Sequence, residues 1–118
     1  MVVPKKGYRF GGSSSHQKSI MRNLAISLFE NGRIQTTLPK AKFLKSFVDK
    51  VITAAKKDTL AARRNCIRMV HNTKTVQKLF NEIVPGLYKR SSGYTRIIKH
   101  KVRLGDGAQM VIMELLTD

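Results

Sequence analysis

Acidic residues occur at Glu30, Asp49, Asp58, Glu82, Asp106, Glu114 and Asp118, and only the last two lie within five residues of each other. Hydrolysis by paired carboxylates, or a two-metal site, would require convergence from distant elements, and nothing in this spacing asks for it. Cys66 and His71 are five positions apart. On one helix that is a separation of about 140°, at roughly 100° per residue, so the two do not share a metal-binding face. Cys66 falls in an apolar stripe, where it reads as a small core residue. Gly105-Asp106-Gly107 lacks the Lys-Ser/Thr of a phosphate loop and precedes a β-type segment, so it reads as a turn. The pattern is therefore that of a protein that is no enzyme and takes no cofactor and no metal.

Phosphate binding is the chemistry that the remaining residues suit. Gly11-Gly12-Ser13-Ser14-Ser15-His16 precedes an amphipathic run, so unpaired backbone N–H groups, serine hydroxyls and the nearby Lys18 and Arg22 converge at one helix start. Arg90, Tyr94, Arg96, Lys99, Lys101 and Arg103 form a second cationic group towards the C-terminus. The whole chain has the same bias: its 118 residues carry 23 Lys+Arg against 7 Asp+Glu, a formal charge of +16. Such self-repulsion is relieved by a polyanion, first a nucleic acid and second an anionic membrane surface. Aromatic residues are only 7% of the chain and Trp is absent, which favours ionic over stacked contacts. One cysteine forms no internal disulfide, a composition that suits a reducing compartment. No apolar run approaches the 18 or so residues of a membrane span, and the start has no secretory-signal pattern.

Residues 1–15, rich in Gly, Ser and cations without an apolar period, read as an extended basic arm, and residues 16–118 as one domain. Ser14 with Gln17 makes a capping-box pattern, and Ile20, Met21, Leu24, Leu28 and Phe29 follow one helical face to about Asn31. Asn31-Gly32 supplies a left-handed stop, and Arg33 to Thr37 has β-favourable alternation. Leu44, Phe47, Val48, Val51, Ile52 and Ala55 hold a 3.6-residue period, which predicts a helix from about Pro39 to Lys57. Asp58 or Thr59 can cap a third helix, and Asn72 or Thr73 a shorter fourth one that ends at Pro85-Gly86. Segments from Tyr94 to Arg103 and from Gln109 to Leu116 flank the Gly-Asp-Gly turn as a hairpin. The expected class is α+β in two layers. About four helices cover one face of a small three-stranded sheet, in the order helix-strand-helix-helix-helix-strand-strand.

Ser14-Ser15-His16, Thr36-Thr37-Leu38-Pro39-Lys40-Ala41-Lys42, Gly93-Tyr94-Thr95-Arg96-Ile97 and the closing RLGDGAQMVIMEL, in this order and spacing, resemble the bacterial-type large-subunit ribosomal protein seventeen family. The likeness runs from Gly7 to Leu116. It implies a structural constituent of the large ribosomal subunit that supports translation without catalysis and binds ribosomal RNA near the outer end of the peptide exit tunnel. A mixed three-stranded sheet, neighbouring ribosomal proteins as partners, and a place on a cytoplasmic ribosome or its organelle counterpart are implied with it. No membrane insertion and no small-molecule substrate are expected. Carried onto this sequence, the resemblance assigns RNA contact to Lys5, Lys6 and Arg9 in the arm and to Ser14, Ser15, His16, Lys18 and Arg22 at the first helix. It adds Lys40 and Lys42 after the Pro turn and Tyr94, Thr95 and Arg96 on the penultimate strand. Lys99, Lys101 and Arg103 join them from the density of cations on that strand.

Two other readings compete. The stretch from Arg63 to Ile83 has the length of a helix-turn-helix, with Lys74, Gln77, Lys78 and Asn81 available to a DNA groove, although its turn lacks the usual Gly. An RNA-processing enzyme would need a carboxylate or His cluster that the sequence does not display.

Overall fold

A computed structural model of the chain describes residues 14–90 and 93–116, with side chains from Gln17 onward. The order is α1 (Ser14–Asn31), β1 (Arg33–Thr37), α2 (Leu38–Ala55), α3 (Leu60–Val70), α4 (Thr73–Lys78), a π-helical turn (Leu79–Ile83), a 3₁₀ turn (Val84–Leu87), β2 (Thr95–Val102) and β3 (Gln109–Leu115). This is the expected α+β succession. Helix α1 already includes Ser14, the expected cap, so the residue that would cap it lies outside the described residues.

Local chemistry explains most boundaries. Gly32 closes α1 with φ 81°, its N–H donating to the Leu28 carbonyl at 2.8 Å. In α2, Ala41, Leu44, Val48, Val51, Ile52 and Ala55 recur at three- and four-residue steps and are all buried. The Thr59 hydroxyl accepts from the Ala62 N–H at 3.0 Å to start α3, and the Asn72 carbonyl Oδ1 accepts from the Thr75 N–H at 3.0 Å to start α4. Each such cap contributes about 1 kcal/mol. His71 stops α3 in a left-handed conformation, φ 61°.

The sheet has the order β1-β3-β2, and both pairings are antiparallel. The mixed sheet implied by the resemblance is thus corrected. Strands β1 and β2 do run in the same direction, but the closing strand lies between them and opposes both, so no parallel pair forms. The register sets Ile34, Met113 and Ile97 side by side, and likewise Thr36, Val111 and Lys99. Val111 and Met113 are fully buried and join the helices' apolar residues in one core. The opposite sheet face carries Arg33, Glu114 and Arg96 in one row and Gln35, Ile112 and Ile98 in the next. Between Lys99 and Lys101 the ladder bulges. Beyond that point the hairpin leaves the core: Val102 is 60% exposed and Leu104 97%.

Candidate nucleic-acid interface

Lys5, Lys6 and Arg9 lie outside the described residues, as do the side chains of Ser14, Ser15 and His16, whose backbone forms the first turn of α1. Lys18 is exposed and Arg22 half-buried on the following turns of α1. Lys40 is half-buried and Lys42 exposed at the start of α2. Two residues apart on a helix, they point to different sides.

The hairpin presents its cations differently. Lys99 opposes Val111 and Lys101 opposes Met110. Adjacent residues of β3 face opposite ways, so the bulge turns two lysines of equal parity onto opposite faces of the hairpin. Without the extra residue they would share one face. Both are exposed. Arg103, at the turn, is held by Asp106: its Nε donates to Oδ1 at 3.0 Å and its second nitrogen to Oδ2. That guanidinium, and after it the Ala108 N–H, keeps the Asp106 carboxyl low, at about 2. The pair stiffens the turn and leaves the rest of the guanidinium facing solvent. Arg96 is exposed on the outer sheet face and pairs with Glu114 across the strands.

Tyr94 and Thr95, two of the expected contacts, have buried side chains, 1% and 3% exposed. Both belong to a seam between α2 and the start of β2. Lys45 Nζ donates to the Thr95 carbonyl at 2.7 Å and to its hydroxyl at 3.3 Å. Lys56 Nζ donates to the Arg90 carbonyl and to the Tyr94 hydroxyl, the latter at 3.2 Å. Sequence alone gives no sign that these two lysines serve the fold; their places on the half-buried flank of α2 do.

Other singled-out residues have settled roles. Cys66 is fully buried, its thiol donating to the Val51 carbonyl at 3.6 Å, and burial pushes its pKa up, away from nucleophile chemistry. The second helix of the helix-turn-helix reading is α4, 6 residues that run on into the π turn Leu79–Ile83. Lys78 is turned back onto the end of α1, donating to the Glu30 carbonyl at 2.8 Å, and Arg63 lies 4.5 Å from the Phe80 ring centre. Among the described residues no group of three or more His, Cys, Asp or Glu could hold a metal ion, and no helix is long and apolar enough to cross a membrane.

One feature was not legible beforehand. A cleft of about 520 Å³ opens between α1, α2 and the end of α3. Lys18, Arg22 and Arg68 stand around it, and Phe43, Phe47 and Met69 are among its apolar lining. In the sequence Arg68 is a single helical cation, and it meets Lys18, Arg22, Phe43 and Phe47 only through the fold.

The candidate interface is thus a set of cations spread over α1, the start of α2, the end of α3 and both faces of a projecting hairpin. It surrounds a helix-on-sheet core that offers no clustered acid, base or metal ligands among the described residues. A family model described as Ribosomal protein L17 matches residues 20–116, from the first turns of α1 through the whole sheet. With that match covering all but the start of the folded unit, the chain belongs to the ribosomal protein L17 family, structural proteins of the large ribosomal subunit that serve translation.

Proposed function

We propose that this chain binds and braces ribosomal RNA near the outer end of the peptide exit tunnel, without catalysis. The observation that carries the RNA reading is the placing of its cations. Lys18, Lys42, Lys99 and Lys101 are on three separate elements, and among the described residues their ammonium groups make no hydrogen bond or ion pair. Several RNA segments can therefore be met at once, with the rigid core fixing their separation. Contacts of this kind read phosphate positions and helix shape more than base sequence. Lys5, Lys6 and Arg9 add three charges to the same task, as does the start of α1, since a helix N-terminus favours an anion. The position at the tunnel exit, the neighbouring ribosomal proteins as partners and the cytoplasmic ribosome as location rest on family membership.

Sedimentation of a native lysate through a sucrose gradient, probed for this chain, tests the reading. Co-migration with large subunits is expected. A position at the top of the gradient, or with nucleoid DNA, overturns it. With purified chain and a large-subunit RNA fragment, log affinity should fall linearly with log salt, by about 0.7 to 0.9 per neutralised phosphate. A slope matching only one or two phosphates would contradict distributed contact.

A further inference from the structure

The cleft between α1, α2 and the end of α3 brings an aromatic lining and a cationic rim together. Its volume, about 520 Å³, falls within the roughly 300–1,000 Å³ of sites that enclose small organic groups. Phe43 and Phe47, two of only five Phe in the chain, are half-buried one helical turn apart and give it an aromatic wall, with Met69 from α3 beside them. Lys18, Arg22 and Arg68 bring positive charge from two different helices, and no carboxylate lines the space among the described residues. A paired RNA helix can use the cations but not the aromatic wall, because its bases are stacked inside. A nucleotide turned out of its stack can use both: its base offers a flat π-face to the Phe47 ring and the methionine sulfur, and its phosphates offer charge to the rim. An acidic peptide would satisfy the rim alone.

We infer that this cleft receives one unstacked nucleotide from a single-stranded or bulged segment of ribosomal RNA. The inference rests on the RNA-binding reading above and gives it a specific point of attachment. Phe47 is the stacking surface, with Phe43 beside it. Lys18, Arg22 and Arg68 hold the flanking phosphates. On a surface that otherwise recognises shape, this is the place where an RNA would have to present an unpaired residue.

The test uses the full chain and three probes: a single-stranded RNA nonamer with a central 4-thiouridine, a blunt duplex of the same length, and poly-L-glutamate. Phe47→Leu keeps an apolar side chain and removes the ring; Arg68→Gln removes one exposed charge. Phe47→Leu should weaken nonamer binding about tenfold while changing duplex binding less than twofold, and ultraviolet crosslinks should fall on peptides carrying Phe43, Phe47 or Met69. If Phe47→Leu lowers the unfolding midpoint, Arg68→Gln decides, with a several-fold loss expected for the nonamer. Unchanged nonamer affinity in the folded variants, or crosslinks confined to other elements, overturns the cleft while leaving general RNA binding intact. Failure of the unaltered chain to bind either RNA overturns both readings. Displacement of the nonamer by poly-L-glutamate, with the polymer's own binding weakened by Phe47→Leu, would assign the cleft to an acidic protein segment instead.

Discussion

At the seam between α2 and the start of β2, Lys45 and Lys56 turn inward and their ammonium groups are taken up by the Thr95 and Arg90 carbonyls and by the Thr95 and Tyr94 hydroxyls. A few residues further along the same strand, Lys99 and Lys101 stand in solvent on opposite faces of the hairpin. The two regions use the same residue types, yet one holds the fold and the other faces solvent. Burial decides which. Near Tyr94 the strand is covered by α2, and each backbone carbonyl shut off from water requires a donor. Past the bulge nothing among the described residues covers the strands, and cations there cost little to keep hydrated. A large positive charge is therefore no measure of binding area until the lysines that serve the core have been set aside.

The largest effect that can separate the two regions is expected from Tyr94. Tyr94→Ala removes an aromatic ring that is 1% exposed and leaves Lys56 without its hydroxyl partner. The cost should be about 3–5 kcal/mol, read as a lower urea midpoint with little change in slope. The double change Lys99→Gln and Lys101→Gln should shift stability by less than about 0.5 kcal/mol, since both side chains are exposed and unpartnered among the described residues. It should instead lower RNA affinity and reduce the salt slope by up to two phosphates. A destabilised hairpin double variant with normal RNA affinity would reverse the assignment of the two regions.

Lys56 gives an intermediate effect and sharpens the contrast. Lys56→Met preserves the length of the side chain but leaves the Arg90 carbonyl and Tyr94 hydroxyl without this donor. A loss of about 1–3 kcal/mol is expected, checked by thermal and urea unfolding. RNA affinity per folded molecule should stay within twofold, despite the loss of a positive charge. A fall in affinity as large as that of the hairpin variant would show that Lys56 also reaches the RNA.

Much of this architecture is readable one turn at a time. The α2 period, the Thr59 and Asn72 caps, the Gly32 stop and the Gly-Asp-Gly hairpin turn each depend on residues within a few positions, and each is where the sequence puts it. What no local pattern shows depends on distance. Tyr94 looks like a surface aromatic among cations until α2 is laid against it, and strand direction follows from which strand takes the centre of the sheet. The bulge at His100 has no Gly to announce it, yet it decides which way Lys101 faces. The cleft draws on residues from Lys18 to Arg68 on three helices, so no local pattern contains it.

Two aspartates allow the smallest but most direct comparison. Asp49, in the seam, has its carboxyl raised above the ordinary value of 3.8 because burial disfavours the charge, against a partial opposing pull from Lys45 and the Tyr94 N–H. Its Oδ1 is buried with no hydrogen-bond partner among the described residues. The folded chain then keeps this proton after the unfolded chain has lost it, so stability falls as pH rises from about 3.8 through the raised value. Asp106, at the hairpin turn, is lowered from 3.8 to about 2 by Arg103 and the Ala108 N–H. Its contribution is present above about 3.8 and is lost as pH falls through about 2. Carbon-detected NMR titration should place the two carboxyls on opposite sides of 3.8. Salt separates their causes. At about 1 M the Debye length is roughly 3 Å, which weakens the exposed Arg103–Asp106 attraction, so Asp106 should move up towards its ordinary value. Asp49 should hold or rise, because salt leaves desolvation in place and weakens the Lys45 attraction that opposes it. A fall of Asp49 towards 3.8 in high salt would show that charge, and not burial, sets its titration, and the seam would then resemble the hairpin more than the core.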